Sequence, residues 1–212
     1  MRAVIFDMDG VLTDSEPLIC AAAMEMFRER GVVVRPEDFH PFVGTGENRY
    51  LGGVAEKYGV ALDIGEAKAR TYELYLAMVP EQLEAFPGAV ELVRECRAAG
   101  LACAVASSAD RIKIDANLNK IGLPAAMWQA IVTAEDVERR KPDPALFLLA
   151  AQRLGVQPAD CTVVEDAVNG IAAAKAAGMR CVAVASTFPS SHLVQADLIR
   201  PSIGAVTLHD LG

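Results

Sequence analysis

Short apolar runs alternate with longer mixed segments along most of this chain. Residues 3–6 (AVIF), 101–106 (LACAVA), 130–132 (AIV), 161–164 (CTVV) and 181–185 (CVAVA) are continuous apolar runs. Runs this short, bounded by polar residues or glycine, predict buried strands. Segments of helical composition lie between them at 87–99, 109–121, 144–154 and 168–177. Gly100 and Gly178 follow two of these segments, at the place where helices commonly end on glycine. Residues 205–208 read as a final edge strand. The alternation predicts an α/β protein: a doubly wound parallel sheet covered by helices on both faces.

Residues from about 15 to about 80 break this rhythm. They contain helix-like stretches and no convincing strand. Residues 18–24 are almost wholly apolar, and 67–78 have helical composition with an end expected before Pro80. Residues 44–47 (GTGE) predict a turn, and 86–88 (FPG) mark the return to the alternating pattern. The predicted organisation is therefore a core formed by 1–14 and 83–212, with an α-helical segment, 15–82, inserted after the first strand.

Composition changes this picture little. The chain has 212 residues, of which 52% are apolar and 23% charged, which suits one ordinary globular unit with an insertion. A net charge of −8 argues against nucleic acid or an anionic membrane as partner. A phosphate-bearing substrate would need local positive charge from a metal or a few placed cations. The five cysteines are dispersed, with no C-x-x-C pair, and read as core residues of a reducing compartment. No apolar stretch reaches the roughly 18 residues of a membrane span, and no signal-peptide pattern is seen. A cytoplasmic protein, monomeric or weakly dimeric, is expected.

The informative feature is where the polar residues fall. In an open parallel sheet, ligands bind at the C-terminal ends of the strands. Four predicted strand ends carry reactive groups: Asp7-Met8-Asp9-Gly10, Ser107-Ser108, Lys141-Pro142-Asp143-Pro144 after a loop, and Glu165-Asp166. Asp7, Asp9 and Asp166 supply hard oxygen donors, for which Mg2+ is the natural partner. Lys141 adds a positive charge able to meet a phosphoryl group. Ser107 ends its apolar run directly and suits a phosphate oxygen, Ser108 beside it is expected as a further substrate contact, and one of the two serines is expected to cap the following helix. Of Asp7 and Asp9, one can attack phosphorus and the other can move protons.

These segments resemble a known family. FDMDGVLTDSE (6–16), VASSAD (105–110), RKPDP (140–144) and VVEDAVNGIAAAKAAGM (163–179) are similar, in order, to the four motifs of the haloacid dehalogenase superfamily. The insertion resembles the helical cap of its β-phosphoglucomutase-like subgroup. Residues 44–55 and 105–118 also resemble the dehalogenase-type domain of plant suppressor-of-quenching proteins. The resemblance implies a Mg2+-dependent phosphatase acting on a small phosphate ester through an aspartyl-phosphate. It implies Asp7 as nucleophile and metal ligand, and Asp9 as general acid/base that lends its carbonyl to the metal. Ser107 and Lys141 would hold the phosphoryl group. Asp166 would complete the metal site, with Glu165 a further ligand or a partner of the ligands. Because Asp9 is present, phosphoryl transfer is expected rather than dehalogenation.

Two departures bear on the substrate. Residues 16–20 lack the cap histidine of the related sugar phosphomutases, and Glu47 stands where those enzymes carry an arginine. Hydrolysis is therefore expected over mutase activity, and over a purely regulatory or partner-binding module. Glu16, Gly44, Thr45, Gly46, Glu47 and Arg49 are the expected selectivity contacts.

Overall fold

The computed structural model describes residues 2–212. Six strands form one sheet: β1 (Ala3–Phe6), β2 (Ala102–Ala106), β3 (Ala130–Val132), β4 (Cys161–Glu165), β5 (Arg180–Val184) and β6 (Leu198–Arg200). All five pairings are parallel, in the order β3-β2-β1-β4-β5-β6. The chain steps outward from β1 through β2 to β3, then returns to the other side of β1 with β4. The strand order thus reverses between β1 and β4, which opens a crevice at their C-terminal ends.

The apolar runs are buried because both sheet faces are covered. On one face, Val4, Phe6, Val105 and Val182 pack with Leu92, Val93, Ile114 and Leu118. The last four belong to α4 (Ala89–Ala98) and α5 (Arg111–Lys120). On the other face, Ile5, Ala104 and Val163 pack with Leu146, Phe147, Ile171 and Ala174. These come from α6 (Ala145–Leu154) and α7 (Val168–Ala176). The small alanines of β2 let the helices of this face approach closely.

Between β1 and α4 the described chain has no further strand, only isolated bridges from Thr13 to Asp9 and Ala85, and its α-helices are α1 (Glu16–Glu29), α2 (Glu47–Tyr58) and α3 (Ile64–Gln82). They bury a cluster of their own around Met26, Phe27, Phe39, Leu51 and Tyr75. The outgoing and returning strands of chain lie side by side: Asp14 N–H donates to Glu84 O at 3.2 Å, and Phe86 N–H to Leu12 O at 3.1 Å. At the return, Gly88 has φ 88°, and a Cβ there would stand 2.4 Å from the Gly204 Cα.

Two expectations need correcting. The sixth strand is Leu198–Arg200, not residues 205–208. Thr207 instead starts a short helix, α8 (Leu208–Leu211), its backbone N–H and hydroxyl both bonded to Asp210. A threonine followed three residues later by an acid caps a helix more readily than it extends a strand. Second, α3 runs through Pro80 to Gln82 rather than ending before it. Pro80 falls in the last turn, so its missing N–H costs the helix one late hydrogen bond.

Candidate active site

The site begins where the β1 ladder ends. Asp7 N–H donates to Val164 O at 3.0 Å, which extends the pairing with β4 by one residue. Its side chain then emerges at the crevice. Ser107 is placed the same way at the end of β2, its N–H bonded to Val132 O at 3.0 Å. Glu165 is the last residue of β4, and Asp166 follows it. Lys141 arrives from the loop before α6.

These side chains form a compact ionic group. Lys141 Nζ lies 2.8 Å from Asp7 Oδ1 and 2.5 Å from Glu165 Oε1. The other Glu165 oxygen accepts the backbone N–H groups of Asp166 and Ala167, each at 2.7 Å. Glu165 therefore fixes both the lysine and the start of the next turn. Oxygens of Asp7, Glu165 and Asp166 lie within 4.8 Å of one another, and all three residues are buried.

The backbone around this group is shaped to admit it. At Gly10, φ is 79°, and a Cβ would stand 2.0 Å from Asp166 Oδ2. At Gly170, in the first turn of α7, a Cβ would stand 1.7 Å from Glu165 Oε1. Each glycine leaves the space that a carboxylate occupies.

Electrostatics follow from burial and charge count. Burial pushes the Asp7 carboxyl well above the usual range, and Lys141 only partly opposes it. Asp166 is raised by burial, then by Glu165 and Asp7. Burial would lower the Lys141 ammonium, but the carboxylates of Asp7 and Glu165 outweigh it and hold the proton firmly. Three crowded carboxylates thus share one ammonium. That surplus of negative charge, on hard oxygen donors, fits a Mg2+ ion. The oxygens of Asp7 and Asp166 have the capacity to bind it, whereas both Glu165 oxygens are already engaged.

Asp9 stands apart from this cluster. Ser15 Oγ donates to its Oδ1, and Lys113 Nζ lies 2.9 Å from its Oδ2. Ser107 Oγ accepts the Ala109 N–H at 3.1 Å, which leaves the hydroxyl proton free to donate.

Of the expected selectivity residues, Glu16, Gly44, Gly46, Glu47 and Ser108 line the same cavity as Asp7 and Lys141. Thr45 and Arg49 are not among its lining residues. Thr45 turns its hydroxyl to Phe42 O at 2.6 Å. Arg49 pairs with the exposed Glu56 at 2.8 Å and lies over the Phe42 ring. The sequence reading missed Lys113, Tyr50 and Thr187, which also line the cavity. Lys113 gave no signal, because it sits in a helix of polar composition, RIKIDANLNK, that reads as a solvated face.

The chain matches the haloacid dehalogenase-like hydrolase family over residues 1–178. It belongs to that family. It is 50% identical over its whole length to suppressor of quenching 1, a chloroplastic protein of Arabidopsis thaliana, of which it spans only 20%. It is 33% identical to hexitol phosphatase A of Escherichia coli, over 98% of this chain and 94% of that protein. Among solved structures, CbbY of Rhodobacter sphaeroides in complex with phosphate superposes with a TM-score of 0.91 at 27% identity, over 100% of this chain and 99% of that one. These likenesses agree with the sheet order, and they place this dehalogenase-like chain among hydrolases. No helix among the described residues is long and apolar enough to cross a membrane.

Proposed function

We propose that this chain is a Mg2+-dependent phosphoric monoester hydrolase that cleaves a small phosphorylated metabolite through an aspartyl-phosphate on Asp7. The observation that carries this reading is the position of Lys141, 2.8 Å from Asp7 Oδ1 at the end of β1, beside the crowded carboxylates of Glu165 and Asp166. A carboxylate held this way is a nucleophile aimed by an ion pair. The names of the relatives, hexitol phosphatase A among them, support the same chemistry.

In this reading, Asp7 attacks phosphorus and the P–O bond to the leaving alcohol breaks. Asp9, two residues on, gives that oxygen a proton and later takes one from the water that cleaves the acyl phosphate. Lys141 and the Ser107 hydroxyl hold the transferred phosphoryl oxygens. Asp7, Asp166 and the Asp9 carbonyl are the groups proposed to bind Mg2+, with Glu165 bracing them through Lys141. When bound, the ion neutralises charge on the phosphoryl oxygens. The core is formed by 1–14 and 83–212. Residues 15–82 serve as a cap whose inner wall, with Glu16 and Glu47, closes the cavity and excludes water.

The test is phosphate release from a panel of small phosphate esters, with and without Mg2+, for the wild type and Asp7→Asn. The expected result is Mg2+-dependent release that is lost in Asp7→Asn. Release that persists in folded Asp7→Asn would overturn the nucleophile, and no release from any ester would overturn the phosphatase reading.

A further inference from the structure

Lys113 carries a buried ammonium that the proposed reaction does not use. It is the third residue of α5, is 3% exposed, and lines the same cavity as Asp7 and Asp9. Both its burial and its place in the helix are unfavourable. A buried ammonium loses its hydration, and the first turn of a helix presents the positive end of the helix dipole. A charge kept there needs a strong partner.

That partner is Asp9. Lys113 Nζ donates to Asp9 Oδ2 at 2.9 Å, its one hydrogen bond among the described residues. Glu47 Oε1 stands farther off, at 3.6 Å, and the Tyr75 ring centroid at 5.6 Å. The other Asp9 oxygen, Oδ1, accepts from the Ser15 hydroxyl. Ser15 immediately precedes α1, whereas Lys113 lies 104 residues along the chain from Asp9, so the two donors come from separate elements. The backbone that carries Asp9 is closed as well: Gly10 N–H donates to Thr13 O at 3.0 Å, and Thr13 N–H to Met8 O at 3.1 Å. With the turn closed and a donor on each oxygen, the Asp9 carboxylate is held in one direction.

We infer that Lys113 is a positioning residue: it aims the Asp9 carboxyl at the leaving-group oxygen and does not itself bind the substrate. The inference rests on the phosphatase reading, in which Asp9 moves the protons. As the P–O bond breaks, a proton passes from the Asp9 carboxyl to the leaving oxygen. The Asp9 carboxylate then takes a proton from the water that cleaves the acyl phosphate. Each transfer needs heavy atoms within about 2.6–3.2 Å, and a carboxyl free to rotate meets that condition only part of the time. Removing Lys113 leaves Ser15 as the sole side-chain donor to Asp9 and lets the carboxyl turn away.

The experiment measures kcat/KM in Mg2+ for acetyl phosphate and for the alkyl phosphate of the panel that is cleaved fastest. Acetate leaves without a proton, whereas an alkoxide needs one, so the ratio of the two values reads proton delivery. A general acid contributes about 100- to 10,000-fold. Lys113→Met should therefore lower the alkyl value at least about 10-fold more than the acetyl value. Asp9→Asn should shift the ratio in the same direction and further. Adding Lys113→Met to Asp9→Asn should then move the ratio by less than about 2-fold, because the group that Lys113 aims is gone. A lysine that only supports the fold, or that grips the phosphoryl group itself, would lower both substrates alike, and that result would overturn the inference. So would a further shift of the ratio in the Asp9→Asn background. Thermal melts establish that the variants fold. If Lys113→Met does not, Lys113→Arg, which keeps the charge but displaces the donors, carries the test with a shift of at least about 3-fold. If neither folds, Lys113 serves stability and the inference falls. A wild type that releases phosphate from no ester counts against the phosphatase reading. A wild type that cleaves both esters, with a ratio untouched by a folded Lys113 variant, counts against the role of Lys113 alone.

Discussion

At the scale of single residues, the site depends on one ammonium balancing two buried carboxylates. Lys141→Met would leave Asp7 and Glu165 buried without a counter-charge. Breaking a buried pair on one side costs about 3–5 kcal/mol, so a large loss of stability is expected at pH 8. The loss should shrink at pH 5, where the raised Asp7 carboxyl takes up a proton. Urea unfolding at the two pH values checks this, and an equal loss at both would contradict it. Gly170→Ala probes the same group from behind. Its Cβ would stand 1.7 Å from Glu165 Oε1, inside contact distance, so Glu165 must move and release Lys141. Destabilisation of about 1–3 kcal/mol is expected, together with a fall in kcat for phosphate release. Much of this group was legible in the chain, because Asp7, Ser107 and Asp166 stand at the ends of apolar runs. Lys113 was not. It lies in a helix whose polar composition reads as a solvated face, yet its side chain is buried against Asp9 and Glu47. Arg49 failed in the opposite sense: proximity in sequence to Glu47 says nothing of direction, and the two-residue step between them, a little over half a turn of α2, carries its side chain round to the exposed Glu56.

At the scale of elements, α1, α2 and α3 have to be tied to the sheet and the helices that cover it. A buried chain of hydrogen bonds makes one tie. Tyr75 of α3 donates from its hydroxyl to Asn117 Oδ1 of α5 at 2.7 Å, and Asn117 Nδ2 reaches Thr13 Oγ1 at 3.4 Å. Asn117→Ala would strand the Tyr75 hydroxyl in the interior, at a cost of about 1–3 kcal/mol. Tyr75→Phe removes the stranded group, so the double variant should be less destabilised than the sum of the singles. A double-mutant cycle by urea unfolding reads this coupling, and strict additivity would refute the link. No sequence pattern announced it, since a polar asparagine in a helix reads as exposed until a partner 42 residues away covers it. The strands were legible because continuous apolar runs have few other uses. The last strand was not. Leu198-Ile199-Arg200 is short and half-buried at the sheet edge, and the run after it ends on a capping threonine.

At the scale of the whole molecule, the buried carboxylates set how stability depends on pH. Burial raises Glu16 from 4.5 to about 7, opposed by Lys113, and raises Asp7, Glu47 and Asp166 as well. A group raised on folding holds a proton in the folded state that the unfolded chain gives up. Its contribution is fully present below the unfolded value and lost as pH rises through the folded one. Without metal, stability should therefore fall between about pH 4.5 and pH 8, by on the order of 2 kcal/mol or more. The carboxyl of Asp210, lowered to about 2 by its bond to Arg200, acts in the opposite sense but below this window. Lys113 and Lys141, both raised, change nothing until alkaline pH. Magnesium should reverse part of the loss. It binds the deprotonated carboxylates, so the increase in urea midpoint on adding Mg2+ should be larger at pH 8 than at pH 5. Glu16→Gln separates the two contributions. Glu16 lies outside the Asp7, Glu165 and Asp166 cluster, so this variant should flatten the metal-free pH slope while leaving the Mg2+ increment at pH 8 near the wild-type value. An increment that vanishes in Glu16→Gln would mean that the ion binds on the Glu16 side of the cavity, and the assignment of the metal to Asp7 and Asp166 would fall.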